Sequence, residues 1–181
     1  MPTEISGSTG VNKIQDGTIV NADINSSAAI AGSKLVMPTG SVLQVVYGTS
    51  NSEVDTSSSS YVASGLNATI TPSSTSSKIL VTYSATFYHY SGVQASSTVY
   101  RGSTDIASVG TSLGVMRSWF ENTRGFFLHQ GQLLDSPNTT SATTYEVYVK
   151  KNSGDYNIGF PTSAANQFPS ITLMEIAGWV Q

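Results

Sequence analysis

The sequence predicts an all-β chain: an extended N-terminal stem over residues 1–37, then a β-sandwich head over residues 38–181, assembling as a trimer. Three observations carry this reading. Residues 78–90 alternate between two faces, one rich in large apolar side chains and the other more polar. The first 37 residues contain no aromatic side chain, and from Ile14 to Ile30 their isoleucines lie five or six positions apart. Helical periodicity is confined to one short stretch, Leu113–Glu121.

In the stem, Ile14, Ile19, Ile24 and Ile30 match neither helical spacing nor the alternation of a lone strand. Asp16-Gly17 and Asn21-Ala22-Asp23 between them are turn formers. One copy has too little apolar surface to offset its ordering entropy. Three copies around an axis would bury the isoleucines in layers, so these four are the expected trimer core of the stem. The opposing reading is an unstructured leader. Met1-Pro2-Thr3-Glu4-Ile5 lacks the basic and apolar regions of a signal peptide.

Pro38-Thr39-Gly40 punctuates the chain. Residues 41–47 then read as a buried strand, and 49–60 as a long polar surface loop. In the alternating stretch, Ile79, Val81, Tyr83, Ala85, Phe87 and His89 share the expected core face. Leu80, Thr82, Ser84, Thr86, Tyr88 and Tyr90 share a face expected to be wet or interfacial. Gln94–Arg101, Gly125–Leu134, residues 144–150 and Ser170–Val180 also read as strands, with a tight turn at 102–105. Tyr145 and Val147 join Ile79, Val81, Tyr83 and Phe87 as the expected head core. Leu113–Glu121 reads as a brief helix with Val115, Met116, Trp119 and Phe120 on one side. Seven or more strands in about 140 residues suit a jelly roll.

Composition narrows the function. Charged residues are 10%, far below the roughly 25% of an average domain, and 30 Ser with 21 Thr fill the gap. Nine Tyr, six Phe and two Trp exclude a solvated disordered tail. A net charge of −3 with no basic run argues against nucleic-acid binding. The absence of Cys removes disulfides, cysteine-ligated zinc and a thiol nucleophile. No apolar run is long enough to insert in a membrane.

Candidate chemistry is sparse. Gly110-Thr111-Ser112-Leu113-Gly114 matches a nucleophile elbow, but that motif needs a strand-turn-helix in a parallel sheet, and only Glu121 and His129 follow as partners. Two histidines, His89 and His129, cannot form a metal cluster alone; His89 is expected to pack, although three copies of a histidine on a threefold axis would gather an ion. Asp105, Glu121, Asp135, Glu146 and Asp155 are scattered singly, without the facing pair that glycoside hydrolysis uses. The expectation is no enzyme, no cofactor and no metal. The best-equipped contact segment holds Arg117, Trp119, Phe120 and Arg124, since aromatics beside cations suit sugar or protein contacts. Its opposing reading is that Trp119 and Phe120 plug the core or a trimer contact.

The stem, from Ile14-Gln15-Asp16-Gly17-Thr18-Ile19 through Asp23-Ile24 to Ala28-Ala29-Ile30-Ala31-Gly32-Ser33-Lys34-Leu35, resembles stem segments of tail-fibre and virion proteins of cyanophages and related marine phages. Gly40–Val46, Ala68–Val81, Leu134–Thr140, Tyr145–Val147 and Ile171–Ile176 resemble the head that follows such stems. The resemblance implies a trimeric jelly roll of the complement and tumour-necrosis-factor type, built into a bacteriophage particle in the bacterial host cytoplasm. It supplies no catalytic motif. The expected function is a virion fibre or spike that docks on other virion proteins through its stem and touches a host surface glycan or protein with head loops. The alternative is a capsid-decorating, cement or head-fibre protein; a glycan hydrolase is a third reading that nothing in the sequence favours.

Overall fold

The computed structural model describes residues 27, 37–50, 54–89, 92–107, 116–119, 125–154, 158–160 and 169–178. All except Ser27 belong to one compact unit, Met37–Gln181. The stem isoleucines Ile14, Ile19, Ile24 and Ile30 lie outside the described residues, as do Phe120 and Arg124 and the side chains of His89, Arg117 and Trp119.

Eleven strands make up the described part: β1 (Val42–Thr49), β2 (Val54–Thr56), β3 (Val62–Ile70), β4 (Lys78–His89), β5 (Gln94–Arg101), β6 (Thr104–Asp105), β7 (Met116–Trp119), β8 (Gly125–Asp135), β9 (Thr143–Ser153), β10 (Ile158–Phe160) and β11 (Ser170–Ile176). They form two sheets, and every pairing is antiparallel. In the first sheet β8 runs along one side of β4, while β11 and β10 share the other side in succession. Outside them, β1 flanks β11 and β2 flanks β10, giving four lanes: β1/β2, β11/β10, β4, β8. The second sheet has the lanes β3, β9, β5 and β6/β7.

The two sheets face each other as a β-sandwich. Ile79, Val81, Tyr83, Ala85 and Phe87 of β4 are buried between them with Ile171 and Leu173 of β11. From the second sheet come Leu66, Ala68 and Ile70 of β3, Ala95 and Val99 of β5, and Tyr145, Val147 and Val149 of β9, with Val93 just ahead of β5. Each large apolar side chain contributes roughly 1.5–3 kcal/mol when fully buried. Gly131, opposite Tyr83 across the β4–β8 ladder, is required here: a Cβ would run into the Tyr83 ring.

Four expectations are corrected. Met116–Trp119 is a strand, not part of a helix; it pairs with Gln94–Ser97 along the edge of β5. A helix that short is marginal by itself, whereas an open strand edge offers a row of unmet backbone donors and acceptors. The polar stretch 49–60 contains β2, which pairs with Ile158–Phe160. Residues 41–47 are not a buried strand: nothing in β1 is buried, because it is an edge lane with one face turned outward and a register shift between Val42 and Gln44. On the even-numbered face of β4, Thr86 and Tyr88 are buried, not wet. The Tyr88 ring lies against Gly159 of β10, which has no side chain to keep it off, and meets Phe126 edge-on at 6.4 Å.

Candidate interaction surfaces

The antiparallel registers place the outward side chains of the first sheet in rows. One row is Val45, Met174, Leu80 and Leu134, apolar across all four lanes. The next is Tyr47, Thr172, Thr82 and Gln132, followed by Thr49, Ser170, Ser84 and Gln130. Thr86 then stands beside Leu128, and Tyr88 beside Phe126. None of these side chains is charged; Lys78 and Asp55 stand only at the two ends of the face. Among the described residues, the exposed large hydrophobics other than Met37 are Val42, Val45 and Tyr47 on β1, and Phe126, Leu128 and Leu134 on β8, each 50–63% exposed. They therefore occupy the two opposite edge lanes of one sheet. Covering exposed apolar side chains of this kind is favourable.

The outward face of the second sheet is different. Glu146 lies between Asn67 and Tyr100, with Asp105 beyond; Tyr148 lies between Ala63 and Thr98, and Lys150 beside Ser96, with Thr98 and Ser96 themselves buried. The Tyr100 and Tyr148 rings stack with centroids 4.0 Å apart. Tyr61 meets Tyr100 edge-on at 6.2 Å, and the Lys150 ammonium sits 4.6 Å from the Tyr61 ring centre. Burial raises the Tyr100 hydroxyl above its ordinary pKa, reinforced by Asp105 and Tyr148.

Between the sheets runs a polar chain. Tyr83 Oη is 2.9 Å from Ser97 Oγ, which is 2.8 Å from His129 Nδ1; His129 Nε2 is 2.8 Å from Ser118 Oγ. The ring lies tilted against Phe87, with centroids 4.5 Å apart and 48° between the planes. A serine within hydrogen-bond reach of a histidine is the kernel of acyl transfer, but the orienting group at the second nitrogen is normally a carboxylate or amide. Here that group is Ser97, and the imidazole is 1% exposed. The chain fits a strut joining the sheets. Ser112 and Glu121, of the nucleophile-elbow match, lie outside the described residues.

Two further clusters fasten one end of the sandwich, on either side of Ile79. The Glu175 carboxylate is fully buried; Oε1 accepts hydrogen bonds from the Ser73 backbone N–H and the Ser73 and Ser77 hydroxyls, and Oε2 from Gln44 Nε2. Burial pushes its pKa up, yet the donors at Ser73, Ser77 and Gln44 together hold it below the ordinary value. Arg101 donates to Asp135, and Tyr145 donates to the same carboxylate at 2.7 Å. Burial, then Asp135, raises Tyr145 far above the usual phenol range. Among the described residues, no three His, Asp or Glu side chains gather as a metal site.

The expected core residues Ile79, Val81, Tyr83, Phe87, Tyr145 and Val147 lie together in the interior. Of the expected contact segment, only the backbone of Met116–Trp119 and the Ser118 side chain are described. Sequence reasoning missed the cluster of Tyr61, Tyr100 and Tyr148. Its one linear trace is the i, i+2 spacing of Tyr148 and Lys150, which puts both on one face of a strand. No protein-family model matches this sequence, and no curated protein matches it.

Proposed function

We propose that this protein is a non-enzymatic structural component of a bacteriophage particle, a trimeric fibre or spike whose stem docks on the virion and whose head meets the host surface. The lane order of the two sheets supports reading the head as a jelly roll, eight lanes in two Greek keys. The observation that carries the proposal is the uncharged outward face of the first sheet, with its exposed apolar side chains confined to β1 at one edge and β8 at the other. These edges present different surfaces. Packing one against the other in a neighbouring copy is a heterologous contact, which closes into a ring when the rotation allows it. Three copies would bury both edges in every subunit.

The lack of charge on this face also favours the second reading, a trimer seated on capsid subunits. The test is the solution mass of the full chain, with adsorption of the purified protein to host cells and to capsids lacking it. A particle of three 19.0 kDa chains that adsorbs to cells is expected. A monomer at micromolar concentration overturns the assembly. Binding to capsids alone replaces the fibre with the decoration protein.

A further inference from the structure

We infer that the tyrosine cluster on the outward face of the second sheet is a saccharide-binding platform for hexopyranose units. Its biological meaning rests on the proposed host-contacting role, but its chemistry does not. Tyr61, Tyr100 and Tyr148 come from three adjacent places in the sheet: the residue before β3, β5 and β9. The β5–β9 ladder fixes the backbones of Tyr100 and Tyr148, and ring stacking holds their side chains in place. A ligand settling on them pays little ordering entropy. All three side chains are half-buried, so they keep solvent-facing surface.

Several polar groups around the rings keep hydrogen-bonding capacity. Among the described residues, the Tyr100 and Tyr148 hydroxyls and the Lys150 ammonium have no hydrogen-bond partner. Glu146 uses Oε1 to accept from the Gly65 N–H at 3.0 Å and, among the described residues, Oε2 has no donor. Aromatic surface takes the apolar C–H face of a pyranose, while phenols, an ammonium and a carboxylate oxygen answer its equatorial hydroxyls. The first sheet lacks this mixture: its outward rows hold no charged side chain to direct hydroxyl groups. A protein partner would instead favour an interface centre depleted of charge, which the first sheet supplies, whereas the second sets Glu146, Asp105 and Lys150 among its rings.

The experiment uses the full chain on an array of neutral hexopyranose oligosaccharides, with titration calorimetry on the best binder. Tyr148→Ala or Tyr100→Ala is expected to weaken binding at least about tenfold, the loss of an aromatic contact. Tyr148→Phe and Lys150→Met, which preserve the packing, are each expected to weaken it about threefold, the loss of one hydrogen bond. Should the alanine variants fail to fold, the latter pair carries the test. Absence of binding by the wild type, or binding that none of these changes weakens, overturns the platform. The outcome separates from that of the proposed assembly: a monomer whose saccharide binding depends on Tyr148 keeps the platform and loses the trimer. A trimer that binds no saccharide does the reverse.

Discussion

The outward faces of the two sheets have the same pleated architecture and opposite chemistry. On the first, exposed Val, Leu, Phe and Tyr side chains stand on both edge lanes around an uncharged middle of Thr, Ser and Gln. On the second, Glu146, Lys150 and Asp105 are interleaved with half-buried tyrosines. A face bearing charged groups stays hydrated cheaply, whereas an uncharged face with apolar edges gains free energy when covered. The contrast teaches that two sheets sharing one continuous core can still present outward faces of opposite chemistry.

The severest disruption of both faces together would come from the interior they share. Phe87→Ala or Tyr83→Ala is expected to cost about 3–5 kcal/mol, read as a fall in the denaturation midpoint with unchanged m-value. A smaller loss would mean that the sheets close around the cavity.

Charge on the first sheet should separate assembly from folding. Val45→Asp with Leu128→Asp is expected to weaken self-association at least about a hundredfold, roughly 2.7 kcal/mol. The monomer's melting temperature should change little, because both side chains are exposed. Thr144→Asp on the second sheet is the control, with no effect on mass. If both substitutions leave the mass unchanged, the first sheet is not the contact.

Glu175 predicts a pH dependence common to both faces. Its folded pKa is depressed below 4.5, so the folded state binds the proton less readily than the unfolded chain. Its stabilisation is complete above about pH 5 and is lost as pH falls through the folded value. Glu175→Gln is expected to cost about 1–3 kcal/mol at neutral pH and to flatten the decline in melting temperature below pH 4.5. An unchanged acid profile would assign acid sensitivity to other carboxylates.

The smallest effect distinguishes the middle of the first sheet from its edges. Thr82→Ala, in the row with Gln132 and Thr172, is expected to change stability by less than about 0.5 kcal/mol and to leave self-association intact, measured by sedimentation. Weakening as large as that from Leu128 would move the contact from the edges to the centre of the face.

The sequence by itself determined the all-β character and much of the interior. Alternation is a local property: with a period of two, Ile79, Val81, Tyr83 and Phe87 must fall on one side wherever the strand lies, and Tyr145 and Val147 likewise. What lies beside a strand is non-local, and there sequence reasoning failed. Short amphipathic spacing at 113–121 suggested a helix until the edge of β5 claimed Met116–Trp119. Apolar content at 41–47 suggested burial until β1 took an edge lane. Tyr88 looked outward until a residue 71 positions later proved to be a glycine small enough for its ring to cover. The tyrosine platform and the His129 chain depend on the same thing, because their members come from separate strands and only the antiparallel registers bring them within contact. Local pattern decides which way a side chain points, and tertiary pairing decides what it meets there.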